Sequence, residues 1–281
     1  SRRAPDMAPA RRFERTSPMT DRFSLKGKSA LVTGGSRGLG RAMALAFAAA
    51  GADVAIVSRK LDACEATARE IEALGVRAFP RACHMGRWDE IEPMAEAVWG
   101  ALGKVDILVN NAGMSPLYPS LSAVTEDAFD KVIGVNFKGP FRLTALLGER
   151  MAAGAGGSVI NISSIAAVEA SPYALPYAGA KAALNALTSG FSAAYSPKVR
   201  VNSIVVGPFA TDIAEHWADP PDHDHPGFTK AGLRVGQPDE IVGLALYLAS
   251  DASSFTNGAM IRVDGGPMRA RRGAATADAR P

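Results

Sequence analysis

The chain is poor in cysteine and aromatic residues and has no long apolar run, and each shortage removes a class of protein. Cys64 and Cys83 are its two cysteines in 281 residues, too few for a disulfide framework. Neither has metal-ligand company, so both read as small core residues of a reducing compartment and point to a cytoplasmic location. No eighteen consecutive apolar residues occur, and the most apolar stretch, residues 42–57, is broken by Gly51 and Asp53. A helical membrane span is therefore excluded. The N-terminal stretch likewise lacks the apolar core of a secretion signal.

Basic charge is also missing where it would matter for nucleic acid. The formal charge is +3, yet residues 1–22 carry six arginines against three acids and residues 267–281 carry four against one. The tails hold +6, which leaves −3 for the body and argues against a nucleic-acid-binding face. Both tails, rich in Ala, Pro and Arg, are expected to be disordered. Met19-Thr20-Asp21-Arg22-Phe23 reads as a natural beginning, which makes the residues before it an upstream extension.

Between the tails, apolar strand-like runs alternate with longer helix-like segments. Strands are expected near 29–33, 53–57, 77–80, 105–109, 157–162, 199–204 and 259–263, and helices near 38–50, 60–74, 87–102, 126–152, 177–195 and 238–250. Alternation at this spacing predicts one α/β domain over residues 23–266, a doubly wound Rossmann-type fold with a parallel sheet of about seven strands.

Two constellations carry chemistry. The first strand runs into Thr33-Gly34-Gly35-Ser36-Arg37-Gly38-Leu39-Gly40 and then an alanine-rich helix. Glycines permit a tight turn and close approach to a pyrophosphate, which the free N–H groups of the helix start attract. The second is Tyr177-Ala178-Gly179-Ala180-Lys181, thirteen residues after Ser164. Positions i and i+4 share a helix face, so the Lys181 ammonium can stand beside the Tyr177 phenol. A free tyrosine titrates near ~10, and acid/base work near neutrality needs a depression equivalent to roughly 4 kcal/mol, much of which a neighbouring cation can supply.

With these motifs stand Asn110-Asn111-Ala112-Gly113, Asn136 in Val135-Asn136-Phe137, Ser163-Ser164, and Asn257-Gly258 through Asp264-Gly265-Gly266. Taken in order, the six resemble the short-chain dehydrogenase/reductase family over nearly all of residues 25 to 266. The resemblance implies hydride transfer between a nicotinamide cofactor and a carbonyl or secondary alcohol. Ser164 would bind the substrate oxygen, Tyr177 would exchange its proton, Lys181 would lower the tyrosine's pKa and hold the nicotinamide ribose, and Asn136 would anchor a water leading to solvent. Cofactor contacts are expected at Gly34, Ser36, Arg37, Gly38, Leu39, Gly40, Ser58, Arg59, Met85, Asn110, Ala112, Gly113, Tyr177, Lys181, Gly207 and Thr211. The family also implies a homotetramer or homodimer, through the helices near 126–152 and 177–195 and the last strand.

A carboxylate is missing where it would select NAD(H). The second strand ends in Ser58-Arg59-Lys60, a hydroxyl followed by a guanidinium, and Arg37 adds another. The planar fork of arginine suits phosphate, so NADP(H) is favoured. Two positions depart from the family pattern. Cys83-His84-Met85 stands where an acid commonly accepts the adenine amino group, so His84 must accept that bond as a neutral imidazole or leave it to water. Val206-Gly207-Pro208 replaces the usual Pro-Gly order. The segment from Asp212 to Gln237 is expected to form a substrate lid anchored by Phe209 and Trp217, with His216, His223 and His225 solvated and no metal bound. Within the enzymes, 3-oxoacyl-thioester reductase and sugar or polyol dehydrogenase both stay open; outside them, the alternative is a dinucleotide-binding sensor without turnover.

Overall fold

The computed structural model describes residues 22–211 and 235–266. Its strands are β1 Ser29–Thr33, β2 Asp53–Ser58, β3 Ala78–Ala82, β4 Ile107–Asn110, β5 Gly157–Ser164, β6 Val199–Val206 and β7 Met260–Val263. Its helices are α1 Gly38–Ala49, α2 Leu61–Glu72, α3 Trp88–Leu102, α4 Glu126–Ile133, α5 Gly139–Ala153, α6 Leu175–Tyr195 and α7 Val242–Ala249. The strands form one parallel sheet in the order β3-β2-β1-β4-β5-β6-β7.

Both faces of this sheet are covered, which is why β1 is buried along its whole length and apolar through Ala30, Leu31 and Val32 rather than alternating with exposed polar residues. Alternate residues enter opposite layers. Ala30 and Val32 pack with Met43, Phe47 and Leu248 from α1 and α7, while Leu31 packs with Ile91, Val98, Leu143 and Leu147 from α3 and α5. Strand order reverses between β1 and β4, and the crevice at that reversal, beyond the strands' C-terminal ends, is where this kind of sheet receives ligands.

The helix expected over 126–152 is interrupted. Thr125 caps α4 by accepting the Ala128 N–H, but Gly134–Lys138 form a π turn before α5 begins. Glycine at both ends of that turn lets the chain after β3 approach. A Cβ on Gly134 would stand 3.3 Å from Gly86 O, and one on Gly139 would overlap the Met85 carbonyl. A widened turn inside a helix re-aims the side chain it carries, and here that side chain is Asn136. Pattern alone joined two helices because the apolar spacing continues across the bulge. The segment expected as a helix from 238 is a 3-10 turn, Pro238–Ile241, closed by a Gln237–Glu240 capping box, and α7 follows it.

Both thiols are buried and free. Burial raises both, Cys83 to about 12, which keeps them inert. The basic tails lie outside the described residues except for Arg22, and so does most of the expected lid, including His216, Trp217, His223 and His225. Its base is described: Phe209 bridges Gly236, and Ala210 N donates to Gly236 O at 2.8 Å.

Candidate active site

The cofactor end is built from the glycine turn. Gly34 and Gly38 have φ of 63° and 51°, a region in which side chains are strained. A Cβ on Gly40 would overlap the Gly34 carbonyl and stand 2.5 Å from Asn111 Nδ2. Helix α1 starts at Arg37 with no side-chain cap and no acid in its first turn, so its leading N–H groups and positive dipole end are left for an anion. The turn is braced from β4. Thr33 Oγ1 accepts the N–H groups of Asn111 and Ala112 at 3.0 and 3.1 Å, and Asn111 Nδ2 donates to Thr33 O and Gly34 O at 2.9 and 3.2 Å. Ser36 Oγ donates to Ser58 Oγ at 3.0 Å, joining the turn to the end of β2, where Arg59 is exposed. Thr211 closes the other side, 3.2 Å from where a Gly38 Cβ would be. These features fit a dinucleotide: a backbone cradle that side chains would fill, an anion-ready helix start, and hydroxyls and guanidinium groups beside it.

Four expected contacts are limited to backbone. The Asn110 side chain turns into the core, donating to Thr144 Oγ1 and Asn161 Oδ1 at 2.9 and 2.8 Å. Met85 is buried in one apolar layer and Leu39 packs against the other. Gly207 leaves β6 with its N–H on Val263 O at 3.0 Å.

The reactive end gathers on β5 and α6. Ser164, at the last position of β5, places its hydroxyl where it favours the Tyr177 phenolate and accepts the Ala166 N–H at 3.1 Å. Its neighbour Ser163 is fully buried and reaches Lys181 O at 3.5 Å, so period-2 alternation delivers Ser164, not Ser163, to the tyrosine. Lys181 is 3% exposed, its Nζ donates to Ile162 O at 2.7 Å, and it lies 5.6 Å from the Tyr177 ring centroid. Asn136 is completely buried; its Nδ2 donates to Met114 O and Val132 O at 2.8 and 2.9 Å, and its Oδ1 accepts Met114 N–H at 3.3 Å. Gly113 stands between the two, since a Cβ there would lie 3.0 Å from Asn136 Oδ1 and 3.7 Å from Lys181 Nζ.

Burial dominates the electrostatics of the Tyr177–Lys181 pair. Burial raises the Tyr177 pKa above its ordinary value, and the opposing influence is the Ser164 hydroxyl, not Lys181. Burial also lowers Lys181, to about 8. Below pH 8 the same lysine is charged and favours phenolate character in Tyr177.

Reading by motif missed three positioning residues. Thr33 and Asn111 hold the turn, and their signal was a hydroxyl and an amide at the ends of adjacent strands, where turn chemistry concentrates. Tyr118 carried no such signal. Its hydroxyl donates to Pro172 O at 2.7 Å and accepts Leu175 N–H at 2.8 Å, clamping the loop after β4 to the turn that starts α6. A small cavity of about 180 Å³ lies beneath it, lined by Leu117, Val124, Val132, Pro176 and the Tyr177 ring.

This architecture recurs in characterised proteins. The family profile for short chain dehydrogenases matches residues 28–222. A sorbose reductase of Schizosaccharomyces pombe is 36% identical over 88% of this chain and 98% of its own. A 3-oxoacyl (acyl-carrier-protein) reductase of Agrobacterium tumefaciens, solved with NADP bound, is 31% identical with a TM-score of 0.82, covering 91% of this chain and 100% of its own. A 7α-hydroxysteroid dehydrogenase solved with NADH is 33% identical with the same TM-score, covering 89% and 98%. The chain belongs to the short-chain dehydrogenase/reductase family and is an oxidoreductase.

Proposed function

We propose that this family member transfers a hydride between NADP(H) and a carbonyl or secondary alcohol substrate, with Tyr177 as general acid and base. The observation that carries the reading is the convergence of Ser164, Tyr177 and a buried Lys181 whose Nζ lies 5.6 Å from the Tyr177 ring centroid. When bound, the nicotinamide supplies or takes up the hydride; the protein supplies orientation and proton control. Ser164 positions the substrate oxygen beside the Tyr177 hydroxyl. In reduction that hydroxyl gives its proton to the oxygen as charge develops there, and in oxidation it takes the proton back. Lys181, charged below pH 8, favours the phenolate left behind. Asn136 fixes the Met114 backbone and stands across Gly113 from Lys181, where a water could relay the proton outward.

The solved relatives bind either NADP or NADH, so the choice rests on this chain's own residues. Arg59, directly after the Ser58 hydroxyl, and Arg37, at the helix start, favour a 2′-phosphate, and the run Ser58-Arg59-Lys60 has no carboxylate to repel it. The likeness to a sorbose reductase supports sugars and polyols as substrates, and that to a 3-oxoacyl (acyl-carrier-protein) reductase supports 3-oxoacyl thioesters as the second reading. Exposed Trp88 and Phe141 on α3 and α5 support a homotetramer or homodimer. The two reduced thiols support a cytoplasmic setting, and no described helix is long and apolar enough to cross a membrane.

The test is an assay of NADPH- and NADH-dependent reduction over ketoses, 3-oxoacyl thioesters and simple ketones. Turnover that prefers NADPH is expected. Tight cofactor binding with no oxidation across the panel would instead support a dinucleotide sensor.

A further inference from the structure

Tyr177 sits where a helix is weakest. It is the third residue of α6, whereas Lys181 lies one turn deeper with its Nζ on Ile162 O at 2.7 Å. First turns fray because their N–H groups have no partner within the helix. Nothing in the first turn of α6 replaces those partners. The N-cap residue, Ala174, has no side chain that can accept a bond, no acid stands in the first turn, and Pro176 has no N–H to give. Left alone, such a turn would let Tyr177 drift against Lys181 and against Ser164, which the deeper helix and β5 hold in place.

The missing cap comes from another part of the chain. The Tyr118 hydroxyl accepts the Leu175 N–H at 2.8 Å and donates to Pro172 O at 2.7 Å. One phenol thus satisfies the first donor of α6 and a carbonyl of the 3-10 turn Pro172–Ala174 that leads into it. Tyr118 stands on anchored chain. The loop that carries it leaves β4 with the N–H groups of Asn111 and Ala112 on Thr33 Oγ1, and the Asn136 amide then holds Met114 from the π turn. The loop therefore carries the position of the sheet across to the start of α6.

We propose that Tyr118 is a positioning residue of the reaction: its hydroxyl closes α6 from outside the helix and so holds the Tyr177 hydroxyl in place beside Ser164. The inference rests on the role given to Tyr177 above. A misplacement of about 1 Å at a reacting group can cost about a hundredfold in rate, so even a partial loosening of this turn reaches turnover.

Tyr118→Phe removes both bonds and keeps the ring. Its control is Ser122→Ala, which takes a hydroxyl from the same loop, one that pairs with Ser120 at 3.3 Å. Both are compared with wild type and Tyr177→Phe, well below each melting temperature, using NADPH and whichever ketose, 3-oxoacyl thioester or simple ketone the wild type reduces fastest. Tyr118→Phe should lose about tenfold or more in kcat, while KM and NADPH affinity stay within about twofold. Its solvent deuterium isotope effect on kcat should exceed that of wild type, because the misplaced phenol slows the proton transfer. Ser122→Ala should match wild type throughout. Wild-type kcat in Tyr118→Phe would overturn the proposal, as would a loss confined to KM or NADPH affinity, or an equal loss in Ser122→Ala. If Tyr177→Phe kept its turnover, the role given to Tyr177 would fall, and this inference with it.

Discussion

Lys181 Nζ lies 5.6 Å from the centre of the Tyr177 ring while donating its hydrogen bond to the Ile162 carbonyl at 2.7 Å. One carbonyl does not replace the water lost on burial, and the Lys181 pKa falls from 10.5 to about 8. Between those values the unfolded chain holds a proton that the folded protein has released, so this group's contribution to stability rises with pH from about 8 to 10.5 and is lost as pH falls through 8. The depression corresponds to roughly 3 kcal/mol. Lys181→Met, which fills similar volume without charge, should therefore melt higher than wild type at pH 7, with the difference shrinking towards pH 10. Melting curves across that range check it, and a gap that stayed constant with pH would refute the assignment.

Tyr177→Phe removes the transferable proton and leaves the ring. Turnover should fall by ~100-fold or more, the usual contribution of a positioned acid or base, while cofactor affinity stays within a few-fold. Lys181→Ala should impair both. A purified Tyr177→Phe protein keeping more than about a tenth of wild-type turnover would remove Tyr177 from its role.

Arg59→Asp should weaken NADPH and shift preference towards NADH. Arg37→Ala should act in the same direction but less, because it removes one of two guanidinium groups and adds no repulsion. A charge-assisted bond to phosphate contributes roughly 1.5–3 kcal/mol, or about ten- to a hundred-fold in affinity. The measurement is the ratio of kcat/KM for the two cofactors; an unmutated protein that used both equally would count against the NADP(H) reading.

Gly40 and Gly100 make a matched pair. Both are helical, but a Cβ on Gly40 runs into the Gly34 carbonyl and Asn111, whereas one on Gly100 meets nothing within 4 Å. Gly100→Ala should stabilise by about 0.5–1 kcal/mol through lower backbone entropy of the unfolded chain. Gly40→Ala should destabilise by about 1–3 kcal/mol and weaken cofactor binding, since the helix start must shift. Denaturant titration of both variants tests the sign of each.

The five inner strands stood out as apolar runs because burial on both faces of a parallel sheet leaves little polar alternation to confuse the pattern, while the edge strands β3 and β7 are only partly buried. The residues proposed to react were equally local: Ser164, Tyr177 and Lys181 are related by strand parity and by one helical turn. Less local features were hidden. The π turn follows from how closely the Gly86 and Met85 backbones approach Gly134 and Gly139, a tertiary contact that leaves no periodicity. The inward commitment of Asn110 depends on Thr144 and Asn161, which are distant in sequence. The Tyr177 pKa depends on how far burial outweighs the Ser164 hydroxyl, which residue type does not disclose.

Asn136 tests how much the π turn matters to catalysis. Its amide makes three hydrogen bonds in a fully buried position, two of them to Met114, whose backbone continues the strand-end loop through Gly113 towards the reactive lysine. Removing it leaves Met114 N–H, Met114 O and Val132 O without that partner, and each buried orphan costs about 1–3 kcal/mol where water cannot replace the bond. Asn136→Ala should therefore lose about 2–3 kcal/mol of stability and lower kcat at least about tenfold even well below its melting temperature, because the Met114 loop no longer holds its place across from Lys181. Calorimetry and saturation kinetics on the same preparation separate the two effects. A variant as stable as wild type would show that the amide is not a structural tie, and one with full kcat at low temperature would show that the π turn does not position the site.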